Sequence, residues 1–348
     1  MKITRTKYES YSLRDFDVAE GCKLCVEGKK LVLFVTGLCP RNCFYCSLSN
    51  KRKNKDEVWA NERLCHNVED AITEAKESNS EGAGITGGDP LTVLERTIEY
   101  AKSLKKEFKN FHIHIYLPTD NVTKQNLEKL SHYIDEVRFH PYFLQTSLYE
   151  KELEKIKLAS LFWKKNQIGV ELPLLPDKVK ETSRFIEKVL PYIGFVNLNE
   201  LEISDSNFEY ITKNYEINED TYTIKGSLKI GKKILKNFLQ KEIKMHLCTG
   251  KTKSFYQYKN RLLRKKIFPF GYRTREGSVR YFVVYLEDMT EKEKEKIKNY
   301  KEIYFDEPRK RYILSEKVAN KLKNQKFKIA RVEELPTYDA TQLQFEYV

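Results

Sequence analysis

The chain has 348 residues, with 63 Lys and Arg against 50 Asp and Glu, for a formal net charge of +13. Hydrophobic residues make up 40% and include 22 Tyr and 19 Phe, enough to build a full core and to exclude a mainly disordered chain. No apolar run reaches the length of a membrane span, and the opening Met-Lys-Ile-Thr-Arg-Thr-Lys lacks the apolar core of a signal peptide, so a cytoplasmic protein with no membrane partner is expected.

In chain order, the first chemistry is a C-x2-C pair, Cys22 and Cys25. A β-rich run, Lys30–Thr36, then leads directly into G-L-C-P-R-N-C-F-Y-C-S, which carries Cys39, Cys43 and Cys46. Cysteines on a loop after a buried strand sit where barrels and open α/β sheets place their active sites. Further strands are expected at Gly82–Thr86, Phe111–Leu117, Glu136–His140, Gln167–Leu172 and Phe195–Leu198. Helical spacing separates them: Leu127, Leu130 and Ile134 share one face, Leu153 to Phe162 suggest a second helix, and Val179–Val189 a third. This alternation argues for a parallel sheet with helices outside, as a partial barrel or a doubly wound sheet. Residues 205–225 read as a polar insertion. Residues 280–348 read as a small α+β unit, with a strand at Val279–Leu286 and helices at Glu291–Lys298 and Ser315–Lys323.

Five of the seven cysteines fall within residues 22–46, a clustering and an odd count that favour metal ligation over disulfides. Two ligand sets are open. Cys22, Cys25, Cys43 and Cys46 could supply paired C-x2-C units to zinc, leaving Cys39 spare. Alternatively, Cys39, Cys43 and Cys46 hold a [4Fe–4S] cluster with one iron free of protein ligands.

The C-x3-C-x2-C spacing, Tyr45 in the aromatic position before the last cysteine, and Gly84-Ile-Thr-Gly-Gly-Asp-Pro90 together resemble the radical S-adenosylmethionine (SAM) superfamily. Asp89 stands where glutamate is commoner. More narrowly, Gly21–Cys25, Lys30–Gly37, Trp59–Arg63, Phe111–Tyr116, Val137–Pro141, Val196–Glu202 and Met245–Cys248 resemble an archaeal group related to pyruvate formate-lyase activating enzyme. The resemblance implies a partial (βα)6 TIM-type barrel. It implies that Cys39, Cys43 and Cys46 hold the cluster, and that Tyr45, Gly87, Gly88 and Asp89 belong to the SAM site. It further implies cleavage of SAM to a 5′-deoxyadenosyl radical that abstracts hydrogen, with a low-potential electron donor as partner. No side chain is singled out as catalytic. The expected division is an N-terminal segment at 1–28, a core at 29–250 and a basic extension at 251–348.

Other residues raise further expectations. Cys22, Cys25 and Cys248, with His246 nearby, would form a second site for an iron–sulfur cluster or zinc. His112 and His114 share one strand face, with packed histidines favoured over ligands. Asp120, Glu171, Asn197, Asn199, Glu200 and Glu202 fall at or near strand ends, where substrate or SAM would bind. Residues 241–282 hold twelve Lys and Arg against two acidic residues, interleaved with eight aromatics, and Lys51–Lys55 follows the cysteine loop. Such runs suit an anionic substrate, RNA or a phosphorylated metabolite. The competing readings are a glycyl-radical-enzyme activase and a non-catalytic, zinc-organised nucleic-acid-binding protein.

Overall fold

The strands of this chain alternate strictly between two kinds of side chain. In His112-Ile-His-Ile-Tyr-Leu-Pro118, Glu136-Val-Arg-Phe-His140 and Phe195-Val-Asn-Leu-Asn199, every second residue is aliphatic or Phe139 and joins the main core, while the intervening ones are mostly polar. Because a pleated strand sends successive side chains to opposite faces, one face of the sheet is apolar and the other polar.

The computed structural model describes residues 2–14 and 17–348; Met1, Asp15 and Phe16, within the expected N-terminal segment, lie outside the described residues. Seven parallel strands run in sequence order: β1 (Lys30–Phe34), β2 (Gly82–Thr86), β3 (His112–Pro118), β4 (Glu136–His140), β5 (Ile168–Leu174), β6 (Phe195–Glu200) and β7 (Lys244–Cys248). The order never reverses. A doubly wound sheet needs a reversal to place helices on both faces, so that alternative is excluded. Right-handed crossovers in one direction put every helix on the same side, and the polar face curls inward as a partial barrel. Antiparallel strands Val58–Ala60 and Tyr11–Ser12 pair with β1 and β7 at the two edges. The outer helices bury their apolar stripes on the apolar face, with Tyr100, Leu104, Phe185, Ile186 and Ile234 all in the main core.

The sequence shows six of these strands and misses β7, a five-residue segment with one histidine at its centre. The polar insertion holds a helix, Phe208–Asn214, and a two-stranded ribbon.

Helix α1 (Glu20–Val26) lies against the polar face and closes the barrel floor. Gly21 N–H donates to Glu136 Oε2 at 3.2 Å, and a Cβ at Gly21 would sit 2.5 Å from His114 Nδ1, so only glycine lets the helix approach. Residues 2–14 and 17–28 therefore share one unit with the barrel and do not stand apart as a segment of their own. This unit extends through Tyr258, beyond the expected boundary at 250, because the π-helical turn Thr252–Tyr258 is bonded back to it: Thr252 Oγ1 donates to the Tyr8 carbonyl and Lys253 pairs with Glu202 at 2.7 Å.

The second unit comprises Glu77–Asn79 and Lys259–Val348. It is an antiparallel sheet in the order Ile303–Asp306, Arg311–Leu314, Val279–Tyr285, Ala330–Glu334, Gln342–Tyr347, with helices Glu291–Ile297 and Glu316–Lys323. The short strand Tyr272–Arg273 pairs with Val279–Tyr285 as the sixth of the sheet; the two helices agree with the sequence reading, whereas five of the six strands were not visible there.

On the barrel floor, Lys30 is buried and donates to the Ala83 and His112 carbonyls, with His112 Nδ1 at 2.8 Å. Burial lowers its pKa from 10.5 to about 7, against the opposing pull of Glu136. Between those values the unfolded chain holds a proton that the folded chain releases, so stability rises with pH across that interval. Lys30→Met should flatten this rise in denaturant titrations at a series of pH values. An identical pH slope in both proteins would show that Lys30 remains charged when buried.

Candidate active site

Gly37 pins the start of the cysteine loop to its end: its N–H donates to the Lys55 carbonyl at 2.7 Å, and its own carbonyl accepts from Asn54 N–H at 3.0 Å. A Cβ at Gly37 would lie 1.9 Å from the Arg52 carbonyl oxygen, so this closure requires glycine. Between the pinned ends Cys39, Cys43 and Cys46 all face one cavity of about 370 Å³ at the C-terminal ends of the strands. Arg41, between the first two cysteines, is itself fixed. Its guanidinium donates to Asp120, to the His140 carbonyl and to Thr119 Oγ1, and lies 3.7 Å over the Tyr142 ring. Ser204 and Ser206, at the start of the polar insertion, both donate to the Cys46 carbonyl, at 3.1 and 2.7 Å.

The Gly-Gly-Asp turn after β2 packs directly on this loop. Gly88 N–H donates to the Thr36 carbonyl and Asp89 N–H to the Leu38 carbonyl, both at 2.8 Å. A Cβ at Gly88 would fall 2.2 Å from Leu38 O and 2.9 Å from Cys39 Cβ. Gly87 and Gly88 line the cavity; Asp89 does not. The Asp89 side chain is fully buried and accepts from Leu91 N–H at 3.0 Å and Asn121 Nδ2 at 2.7 Å, with burial raising its pKa. Asp89, expected among the SAM-site residues, has its carboxylate bonded to Leu91 N–H and Asn121, where it holds the glycine turn. Tyr45 lines the cavity wall, its ring 5.7 Å from that of His140, and hydrogen-bonds Cys43. Burial pushes the Cys39 thiol up to about 11, a shift that a coordinated metal reverses by removing the proton.

Arg138 organises the deeper interior. It is fully buried, donates to Glu136 Oε1 at 2.7 Å, Glu171 Oε2 at 3.1 Å and Cys22 Sγ at 3.2 Å, and lies over Tyr116 and Phe195. Glu171 Oε1 in turn accepts from Asn197 at 2.5 Å and Asn199 at 2.6 Å, and Asn197 Oδ1 lies 2.7 Å from His246 Nδ1. Burial holds His140 down to about 4 and His246 to about 3, so both imidazoles are neutral. Cys22, Cys25, Glu200, Glu202 and Cys248 line the same cavity, which His112 and His114 do not. His112 bonds Lys30, and His114 Nε2 lies 3.1 Å from Tyr116 Oη. Cys65 is buried in the main core.

A family model for the radical SAM superfamily matches residues 33–143. A Methanocaldococcus jannaschii protein, provisionally named a glycyl-radical enzyme activating enzyme, is 36% identical over 357 aligned positions, covering 97% of this chain and 94% of its own. The chain belongs to the radical SAM superfamily. Among solved structures, the radical SAM enzyme coproporphyrinogen III oxidase from Escherichia coli aligns with a TM-score of 0.40 and 11% identity, over 64% of this chain and 56% of that one. The radical SAM methyltransferase TsrM from Kitasatospora setae, with tryptophan and a SAM analogue bound, aligns with a TM-score of 0.39 and 10% identity, over 60% and 43%.

As a radical SAM protein this chain is an enzyme that uses a [4Fe–4S] cluster and SAM to abstract hydrogen, which overturns the non-catalytic, zinc-organised reading. The cavity suits that pair: three thiols converge on it beside a glycine turn too tight for any Cβ. No described helix is long and apolar enough to cross a membrane.

Of the Lys and Arg residues of the basic run that fall in the barrel unit, Lys253 lines the cavity, and its ammonium pairs with Glu202. Others serve the fold: Lys259 pairs with Glu276, Arg273 donates to the Leu262 and Lys265 carbonyls, and Arg280 pairs with Glu333. Arg41, Arg138 and Ser204 went unnoticed in the sequence. The period-two alternation that places Arg138 on the polar face was the signal available for it.

Gly88→Ala should leave a folded protein in which the Cys39 backbone is displaced, since the clash is with main chain that cannot swing aside. A misplacement of that size costs about a hundredfold in rate, read as 5′-deoxyadenosine formed per chain. A rate within twofold of the native one would show that the turn can yield.

Proposed function

We propose that this enzyme abstracts its hydrogen atom from a polypeptide partner, as an activase does, and not from RNA or a phosphorylated metabolite. The observation that carries the reading is the charge balance of the cavity. Of the four Lys and Arg side chains lining it, Arg41 is bonded to Asp120, Arg138 to Glu136 and Glu171, and Lys253 to Glu202, leaving Lys53 to meet a phosphate. Amides and carboxylates at Asn197, Asn199, Glu200 and Glu202 suit a peptide backbone better than a polyanion. The name of the M. jannaschii relative supports the same choice.

In this reading Cys39, Cys43 and Cys46 hold the cluster, Gly87 and Gly88 bring backbone to the SAM methionine end, and Tyr45 forms the wall beside Cys43. Asp89 keeps the glycine turn in place. When bound, cluster and SAM supply a 5′-deoxyadenosyl radical at the expense of one electron from a low-potential donor. That chemistry would take a hydrogen atom from a C–H bond of the partner, giving 5′-deoxyadenosine and a partner-centred radical, beside the cavity wall of Tyr45, Gly87 and Gly88.

The test uses an extract of the native cells grown in deuterated medium and divided by ultrafiltration. Reconstituted enzyme, SAM and dithionite should yield deuterated 5′-deoxyadenosine with the retained fraction, and protease treatment should abolish the label while nuclease leaves it. Label arising only from the filtrate, or lost on nuclease treatment, overturns the proposal.

A further inference from the structure

Three cysteines unused by the cluster reading face the cavity from its other side: Cys22, Cys25 and Cys248. They come from distant parts of the chain. Cys22 and Cys25 stand three residues apart on α1, hence on one helical face. Cys248 ends β7, and the turn directly following it, Thr252–Tyr258, packs against α1.

A buried cysteine usually serves as a small apolar side chain, surrounded by apolar neighbours. Cys22, although packed with Val18, Ala19 and Phe195, and Cys248 also meet polar donors. Arg138 Nη2 donates to Cys22 Sγ at 3.2 Å, and Gln257 Nε2 donates to Cys248 Sγ at 3.4 Å. Glu171 and Lys253 complete a polar wall around them. N–H donors aimed at sulfur stabilise thiolate, and in iron–sulfur proteins they help set the cluster potential.

Among the described residues no three His, Cys, Asp or Glu side chains converge closely enough to hold a single ion. Zinc in a tetrahedral site needs such convergence, whereas a multi-iron cluster takes thiolates spread around its edges. Iron and zinc counts decide between the two metals.

We propose that Cys22, Cys25 and Cys248 hold a second [4Fe–4S] cluster. The site owes nothing to the identity of the hydrogen donor and stands or falls apart from the activase reading.

The experiment counts iron and sulfide in the full chain after anaerobic reconstitution. The native protein should hold about eight irons, and the combined substitution Cys22→Ser with Cys248→Ser about four. The triple variant Cys39→Ala, Cys43→Ala, Cys46→Ala should keep about four irons and show a reduced-cluster EPR signal with dithionite, in the absence of the first cluster. A native count of about four irons, all lost with the first cysteine triplet, overturns the proposal while leaving the first cluster intact. Zinc in place of iron in the triple variant overturns it too. The native count decides even where a variant fails to fold.

Discussion

Cys43→Ala, reconstituted alongside the native chain, should lose about four irons and form no detectable 5′-deoxyadenosine from SAM and dithionite. Cys43 is the middle member of the triplet and lines the cavity between Arg41 and Tyr45. With two thiolates left, the cluster is held at one edge only. The neighbouring Asp120 carboxylate is already engaged, bonded to Arg41 and Tyr142. The loop itself should survive, because its closure rests on Gly37, Asn54 and Lys55 rather than on the cysteine. Circular dichroism should therefore match that of the native apoprotein. Native iron content in this variant would mean that the triplet is not the ligand set.

The triplet and glycine turn were legible in the sequence because ligand spacing and turn chemistry are local. So were six of the seven parallel strands, whose aliphatic residues alternate over five or more positions. The barrel interior was not legible to the same degree. Arg138 reads in isolation as a surface charge. Only the register that sets it beside Tyr116 on β3 and Gly169 on β5 reveals it as buried among Glu136, Glu171 and Cys22. The basic run shows a related limit: sequence shows how charge is distributed along the chain, but not which carboxylate each ammonium meets. Lys253, Lys259 and Arg280 each have an acidic partner that no local pattern announces. Asp89 shows a third limit. Its position in a glycine motif gave no sign that its carboxylate is buried and bonded to Leu91 N–H and Asn121, where it shapes the turn.

Arg138→Met should be the most destabilising single substitution in the barrel interior, at about 3–5 kcal/mol, the cost of leaving buried charge without its partner. The guanidinium serves Glu136, Glu171 and Cys22 together, and Met fills the space while answering none of them. Lysine should rescue little, because a point charge cannot reproduce three bonds of fixed direction. The pH dependence separates this account from a simple packing loss. In the native protein burial acts to raise the Glu136 pKa, but Arg138, with help from His112 and the Gly21 N–H, overrides it and leaves the net value below 4.5. Native stability from this group is thus fully present above the unfolded value and declines as pH falls through the lower folded one. Without Arg138 the burial effect dominates, the folded pKa rises, and the sign inverts, so that the variant loses stability as pH rises from the unfolded value toward neutrality. Denaturant unfolding of the reduced apoprotein between acid and neutral pH keeps cluster loss out of the measurement. Parallel pH curves for the two proteins, offset by a constant, would indicate that Arg138 contributes volume and not charge.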